Sequence, residues 1–238
     1  MVEFINLTKK KIVITGTSSG IGYDLAKKFL KSGNYVWGSS RSASKISHKN
    51  YKHKILDLEK KNQINKWIKK IKKETFNSVD ILILNAAFYQ RNLNYFENDK
   101  NIMKTISTNL ISTILITKKI SNIMIKNNGG MIVFFSSSAT IIKDIGTSTY
   151  SSSKSGIETF AAILNKELHK FNIQIFIFRI NYVKTRLSKD LKKKEVKRLL
   201  NKFKTNIFNN SDKIYLKIKN LFLKKSKYKN ILIYDKLK

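Results

Sequence analysis

Short apolar runs alternate with longer mixed segments along most of the chain. The runs predict buried strands at 11–14, 35–37, 81–84, 131–135, 173–180 and 231–234. The segments between them carry apolar residues at helical spacing, and they predict helices over 21–32, 61–73, 100–127 and 151–171. Strands that alternate with helices are joined by crossover connections, which put helices on both faces of a parallel sheet. The pattern therefore predicts a doubly wound α/β fold.

The segment 187–230 is rich in lysine and less regular than the rest of the chain. It predicts two helices before the last strand, and a disordered basic tail is the alternative. Order is favoured because the segment has an apolar face, formed by Leu199, Leu200, Phe203, Ile214, Leu221 and Phe222. A chain of 238 residues is short enough for one hydrophobic core, so we expect a single domain over residues 1–238.

The net charge of +33 raises the question of a polyanionic partner, such as nucleic acid or an anionic membrane surface. Arginine occurs at only five positions and proline is absent, so the composition is that expected of an A/T-rich coding sequence. The lysines are also spread along most of the chain, as on a solvated surface. We therefore expect neither a specific nucleic-acid partner nor a membrane partner.

The absence of cysteine excludes disulfides, thiolate chemistry and cysteine-containing zinc sites. The three histidines have no metal-ligand spacing, so we expect no metal centre. The first residues lack the apolar core and cleavage site of a signal peptide, and no uncharged apolar run approaches the roughly 18 residues of a membrane span. The expected location is the cytoplasm.

A glycine-rich segment, Thr-Gly-Thr-Ser-Ser-Gly-Ile-Gly at 15–22, follows the first strand directly and opens a helix. Glycines there allow a tight turn and a close approach of backbone to pyrophosphate, with the amides of the helix N-terminus facing the anion. Three of the nine glycines of the chain are in this segment. It predicts a dinucleotide site formed by Gly16, Ser18, Ser19, Gly20, Ile21 and Gly22.

The end of the second strand indicates which dinucleotide is bound. An acidic residue there would bind the ribose hydroxyls of NAD, but the chain has Ser40 and Arg41. A guanidinium and hydroxyls are hydrogen-bond donors suited to a 2′-phosphate, which a carboxylate would repel. The expected cofactor is NADPH rather than NADH.

The spacing of the glycine-rich segment resembles that of the short-chain dehydrogenase/reductase family, and the resemblance covers nearly the whole chain. It implies a Rossmann-type fold and a nicotinamide-dependent oxidoreductase acting on an alcohol or carbonyl. The matching positions imply further cofactor contacts at Asp57, Leu58, Asn85, Ala86, Ala87, Val183 and Thr185. The chain departs from the family where Leu84 and Ala87 replace Asn and Gly, and where Ile180 and Asn181 replace Pro and Gly.

The Tyr-x-x-x-Lys motif of the family occurs four times in this lysine-rich chain, starting at Tyr23, Tyr150, Tyr215 and Tyr234. The family also has a serine 13 residues before the tyrosine, and only Tyr150 meets this condition, with Ser137. The resemblance thus implies the catalytic residues Asn109, Ser137, Tyr150 and Lys154.

The chemistry of carbonyl reduction explains these residue types. Tyr150 would deliver a proton to the developing alkoxide, and Ser137 would donate a hydrogen bond to the substrate oxygen. Lys154, one helical turn after Tyr150, is expected to lower the pKa of the phenol through its positive charge. The family resemblance also implies that Lys154 holds the nicotinamide ribose, and that both Tyr150 and Lys154 contact the cofactor. Asn109 is expected to hold a relay water.

Segment lengths are similar to those of 3-oxoacyl-acyl-carrier-protein reductases, which implies a 3-oxoacyl thioester substrate, a role in fatty acid biosynthesis and a substrate lid near 186–210. A sugar, a polyol or another small ketone is the alternative substrate. A non-catalytic NADP-binding or basic nucleic-acid-binding module is the alternative class.

The resemblance also implies a homotetramer, or at least a dimer, formed through the helices near 100–127 and 151–171. The apolar residues of the first helix exceed what one buried face needs. They are Ile106, Leu110, Ile114, Ile120, Ile123 and Met124.

Overall fold

The computed structural model describes residues 7–180, 211–223 and 232–234, and within these ranges one sheet contains seven parallel strands. The strands are β1 (Lys11–Thr15), β2 (Tyr35–Ser40), β3 (Tyr51–Ile55), β4 (Ile81–Leu84), β5 (Gly130–Ser137), β6 (Ile173–Ile180) and β7 (Leu232–Tyr234). Their order across the sheet is β3-β2-β1-β4-β5-β6-β7. The strand order reverses at β1 and β4, because β2 and β3 follow on one side of β1 whereas β4 to β7 follow on the other. Doubly wound folds bind ligands at the carboxyl ends of the strands beside such a point.

Helices cover both faces of the sheet, which confirms the predicted doubly wound fold. They are α1 (Gly20–Lys31), α2 (Lys61–Glu74), α3 (Asp99–Ile106), α4 (Ser112–Lys126), α5 (Ala139–Ile142), α6 (Ser148–Leu168) and α7 (Ser211–Leu223). On one face, α1 and α7 bury Phe29 and Ile214 against the sheet. On the other, α2, α4 and α6 bury Trp67, Ile116 and Ile157. The two apolar cores hold the strand ends in fixed positions.

Strand β3 was not among the predicted strands. Its sequence, Tyr-Lys-His-Lys-Ile, has no apolar run because it is an edge strand, and Lys52, Lys54 and Ile55 are exposed. Helix α7 agrees with the expected order for residues 211–223 of the lysine-rich segment, since Ile214 and Leu221 are buried, and the rest of that segment lies outside the described residues. The expected lid at 186–210 and the expected contacts Val183 and Thr185 lie outside the described residues.

The predicted helix over 100–127 is divided by a π-helical turn at Ser107–Ile111. The expectation that its apolar residues exceed one buried face is wrong for Ile120, Ile123 and Met124. These three side chains are at most 5% exposed and belong to the core beneath α4. Ile106, Leu110 and Ile114, nearer the π turn, are partly exposed. Within the described ranges, no helix is long and apolar enough to cross a membrane.

Candidate functional site

The turn between β1 and α1 lies at the carboxyl edge of the sheet. Its glycines leave the backbone atoms there uncovered by side chains. Gly16 has φ +80° and Gly20 has φ +62°, a region that favours glycine. A Cβ at Gly22 would lie 2.3 Å from the carbonyl oxygen of Gly16, so the first turn of α1 packs directly on the loop. Ile21 packs at the edge of the core, which anchors the start of the helix.

The N-terminus of α1 has the properties of an anion site. Ser19 is the N-cap residue, but its side chain makes no capping hydrogen bond, and the first turn contains no acidic residue. The N–H groups of a first helical turn have no partner within the helix, and here no cap side chain accepts from them. These residues, with the partly buried Ser18, therefore fit a pyrophosphate.

Asn85 and Ala86, which follow β4, hold the glycine loop in place. Thr15 Oγ1 accepts hydrogen bonds from the backbone N–H groups of both residues, each at 3.1 Å. The Asn85 side-chain amide donates to the carbonyl oxygens of Thr15 and Gly16, at 3.0 and 3.2 Å. The structure thus brings Asn85 and Ala86 to the predicted site, with Ala87 next in the chain and partly buried.

The ends of β2 and β3 form the side of the site where we expect the adenosine. Ser40 Oγ donates to the carbonyl of Ser42 at 2.8 Å and lies 2.7 Å from His53 Nε2, whereas the Arg41 side chain is exposed. Asp57 Oδ1 accepts from the Glu59 backbone N–H at 3.0 Å. Asp57 therefore shapes the turn before α2, and Leu58 beside it packs against the core.

Ser137 at the end of β5 meets two residues of α6 at the same edge of the sheet. The Ser137 hydroxyl lies close enough to the Tyr150 hydroxyl to act on its pKa. Lys154 Nζ lies 5.9 Å from the centroid of the Tyr150 ring and donates to the carbonyl of Phe135 at 2.8 Å. Tyr150 is 9% and Lys154 3% exposed, and Ser137 is partly buried, so the three predicted residues form one cluster with little contact with solvent.

Burial sets the ionisation of this pair. It raises the pKa of Tyr150 to about 12, although the nearby Ser137 hydroxyl acts in the opposite direction. It lowers the pKa of Lys154 to about 8, against the attraction of Glu158. Burial outweighs any effect of Lys154 on the phenol in this structure, and the expected role of Lys154 in lowering the pKa of Tyr150 stays a prediction. The ammonium lies over the ring and is bonded to a carbonyl, and loss of water dominates for both groups.

Asn109 is placed by the π turn and is fully buried. Its Oδ1 accepts from the Phe88 backbone N–H at 2.7 Å, and its Nδ2 donates to the Phe88 carbonyl at 2.9 Å and to Ser153 Oγ at 3.0 Å. Asn109 thus fixes the loop after β4 against α6, beside Tyr150. Its expected role in holding a relay water stays a prediction.

An ion pair and a backbone hydrogen bond join the two loops on either side of Tyr150. The Arg91 guanidinium lies 3.3 Å from the Asp144 carboxylate, and the Asn92 N–H donates to the Gly146 carbonyl at 3.0 Å. One loop follows β4 and the other precedes α6. These contacts hold the two loops in a fixed arrangement beside Tyr150.

Sequence reasoning missed three residues near Tyr150. The ring of Tyr89 meets that of Tyr150 edge-on, with centroids 4.8 Å apart. Glu158 and Arg179 form an ion pair at 2.7 Å beside Ser136. Two signals were available, because arginine is scarce in this chain and Glu158 follows Lys154 by four residues. Tyr89 left no comparable signal.

Comparisons with known proteins agree with this geometry. The family model for short chain dehydrogenases matches residues 10–196. The chain is 31% identical over 204 residues to a 3-oxoacyl-[acyl-carrier-protein] reductase of Buchnera aphidicola subsp. Schizaphis graminum, covering 83% of each chain. It is 30% identical to carbonyl reductase family member 4 of Xenopus laevis, covering 80% of this chain and 83% of that protein. Among solved structures, a short chain dehydrogenase from Burkholderia cenocepacia in complex with NADP has TM-score 0.83, at 18% identity over 97% of this chain and 98% of that one.

Proposed function

The chain belongs to the short-chain dehydrogenase family and is an oxidoreductase, and from this premise we propose that it reduces the 3-oxo group of an acyl thioester with NADPH. The observation that carries the proposal is the cluster of Ser137 with the buried Tyr150 and Lys154, at the sheet edge that also carries the glycine loop. A neutral phenol and a serine hydroxyl are the donors that a carbonyl oxygen needs as it becomes an alkoxide.

Each residue of the cluster has one task in this proposal. Ser137 donates a hydrogen bond to the substrate oxygen as negative charge develops on it. Tyr150 then transfers the proton of its hydroxyl to that oxygen, and its raised pKa keeps the proton available at neutral pH. Lys154, whose ammonium lies over the ring, stabilises the phenolate left behind. Asn109 keeps the loop after β4 in contact with α6.

The bound cofactor would supply the hydride. The amides at the start of α1 and the glycine loop would hold its pyrophosphate, and Ser40 and Arg41 at the end of β2 would hold a 2′-phosphate. The ends of β4 and β5, with Lys154, would face the nicotinamide ribose. Asp57 and Leu58 would lie near the adenine.

Two observations support a 3-oxoacyl thioester carried by an acyl carrier protein. Several relatives are named as reductases of that substrate, among them the Buchnera protein. The net charge of +33 would also attract an acidic carrier protein. A carrier-bound substrate implies a role in fatty acid biosynthesis.

We also infer that the protein is a homo-oligomer, a tetramer or at least a dimer. Ile111 at the end of the π turn is 45% exposed, and Ile163 on α6 is 54% exposed. Apolar side chains exposed on these two neighbouring helices favour contact with a second subunit. Light scattering at micromolar concentration measures the mass, and a monomer would contradict the inference.

A kinetic screen tests the activity. NADPH oxidation is followed with a 3-oxoacyl thioester, free and on acyl carrier protein, and with sugars, polyols and cyclic ketones as competing classes. We expect the highest kcat/KM with the carrier-bound thioester. A higher value with a sugar or a cyclic ketone would refute the substrate assignment, and inactivity with every class would refute carbonyl reduction.

The cofactor assignment has its own test in Arg41→Asp. This change replaces a partner for the 2′-phosphate by a charge that repels it, so the ratio of kcat/KM for NADPH to that for NADH should fall by about tenfold or more. Lys45→Asp, at an exposed position of the same loop, tests the alternative that Lys45 binds the phosphate, in which case the ratio should fall in this variant instead. Equal ratios in parent and Arg41→Asp would mean that other residues bind the phosphate.

A further inference from the structure

A carboxylate that the proposed mechanism does not use lies one helical turn beyond Lys154. Glu158 Oε1 accepts from Arg179 Nε at 2.8 Å, and Glu158 Oε2 accepts from Arg179 Nη2 at 2.7 Å. This two-bond pairing of carboxylate and guanidinium is the strong and directional kind of ion pair. Both side chains are largely buried, with 14% and 18% exposed, so water screens the pair only weakly.

Glu158 also accepts hydrogen bonds from the segment that carries Ser137. Ser136 Oγ donates to Glu158 Oε1 at 2.5 Å, and Thr140 Oγ1 is 3.1 Å from the same oxygen. Ser136 pairs with Arg179 in the register of β5 and β6. One carboxylate therefore joins four elements: helix α6, the end of β5, the short helix α5 and the end of β6.

These hydrogen bonds keep the carboxylate ionised. Burial alone would raise the pKa of Glu158, but the bonds from Arg179, Ser136 and Thr140 outweigh it and lower the pKa. A charge held in this way acts on the next titratable group along the helix. That group is Lys154, whose ammonium Glu158 stabilises against the effect of burial.

The surroundings of Lys154 come from four elements. On α6 they are Tyr150 and Glu158, and on β5 the carbonyl of Phe135. Strand β6 contributes Arg179 through Glu158, and the loop after β4 contributes Tyr89 through the ring of Tyr150. In this set Glu158 carries the negative charge, while Lys154 and Arg179 are cationic.

We propose that Glu158 is a positioning residue for carbonyl reduction, because it clamps the strand end bearing Ser137 to the helix bearing Tyr150 and Lys154 and supplies the counter-charge of the Lys154 ammonium. The proposal rests on the proposed function, since it assumes that these three residues carry out the reaction. Glu158 acts through them and does not touch the substrate.

The test is Glu158→Gln, which keeps the shape of the side chain and removes its charge. We expect kcat for carbonyl reduction to fall by about tenfold, within the ~10²-fold that a misplaced group can cost. KM for the carbonyl substrate should change little. The high-pH limb of kcat/KM should move down by about one pH unit, because the ammonium loses its counter-charge.

The matched control is Glu167→Gln, which makes the same change in net charge at an exposed position of the same helix. It should keep the parental kcat and pH profile. Glu158→Asp retains the charge on a shorter side chain, so it should keep the pH limb while kcat still falls. If Glu158→Gln does not fold, Arg179→Lys is tested in its place. This change breaks the two-bond pairing with Glu158 and keeps both charges. We then expect kcat to fall while the high-pH limb stays unchanged.

A second readout needs no turnover. The pKa of Lys154 can be measured by NMR in protein that carries carbon-13-labelled lysine. The Lys154 signal is assigned as the one that is missing from the spectrum of Lys154→Arg. It should titrate at lower pH in Glu158→Gln than in the parent. An unchanged Lys154 titration together with parental kcat in Glu158→Gln would overturn the positioning role. Failure of the proposed function is a different result, namely a parent that reduces no carbonyl, so the two failures are distinguishable.

Discussion

Two regions of the molecule carry the same Tyr-x-x-x-Lys spacing and almost the same local geometry. On α1, Lys27 Nζ lies 5.5 Å from the centroid of the Tyr23 ring, and on α6 Lys154 Nζ lies 5.9 Å from that of Tyr150. The surroundings differ, since Lys27 is exposed whereas Lys154 is 3% exposed and its pKa is lowered to about 8. Helical spacing brings tyrosine and lysine together, and the tertiary environment buries one pair and shifts the pKa of its lysine.

The comparison predicts its largest effect for loss of the phenol hydroxyl. Tyr150→Phe removes the proton donor and keeps the ring, so carbonyl reduction should fall by ~10²–10⁴-fold, the range for losing a general acid. NADPH affinity, measured by cofactor fluorescence, should change little. Tyr23→Phe is the control, and its turnover should equal that of the parent. Parental turnover in Tyr150→Phe would show that the wrong pair has been chosen.

The second effect concerns stability and pH. The pKa of Lys154 is lowered in the folded state, so burial of its charge costs free energy below pH 8, and this cost disappears as pH rises toward the unfolded pKa near ~10.4. Lys154→Met should therefore be more stable than the parent at pH 7, by about 1–2 kcal/mol, after allowance for the Phe135 carbonyl that loses its donor. It should also lose turnover.

Urea unfolding from pH 7 to pH 10 measures this effect, and the stability advantage of Lys154→Met should shrink as pH rises. Lys27→Met is the control because its lysine is exposed. Its unfolding free energy relative to the parent should not vary with pH in this way. A pH-independent difference in Lys154→Met would mean that the charge of Lys154 is not what burial penalises.

The smallest effect belongs to a third Tyr-x-x-x-Lys pair, which begins at Tyr215 on α7. The Tyr215 hydroxyl lies 2.5 Å from Ser32 Oγ, and this bond joins α7 to the end of α1. Tyr215→Phe should lower the free energy of unfolding by about 1 kcal/mol, the usual worth of one hydrogen bond. Turnover should not change. Tyr35→Phe, at a 41% exposed position, is the control for both measurements.

The sequence predicted most of the fold because the central strands are continuous apolar runs. Ile81–Leu84 of β4 and Met131–Phe135 of β5 are buried on both faces, and only a parallel sheet under two layers of helices buries strands so completely. Strand β3 escaped prediction because an edge strand needs no apolar run. The π turn was not predicted either, because the spacing of apolar residues along a helix does not show that one turn contains an extra residue.

The candidate site was predictable where one short stretch of chain determines it. Both the glycine loop and the choice of Tyr150 depend on spacing alone. The bond between Glu158 and Arg179 joins a helix to a strand. The sequence marks each residue singly, but in a chain with 48 lysines and arginines it does not say which cation the carboxylate will meet. The effect of burial on the pKa of Tyr150 likewise depends on packing from several elements.

The π turn at Ser107–Ile111 has a consequence for how the chain tolerates insertions and deletions. A π turn holds one residue more than an α-helical turn, so removing one residue here would convert it to regular α-helix and displace Asn109 from its present position. Asn109 would then lose Phe88 and Ser153 as partners. Surface loops absorb changes of length with little effect. A one-residue insertion or deletion before α4 would instead act like a substitution within the site, even though no residue that contacts Tyr150 had been replaced.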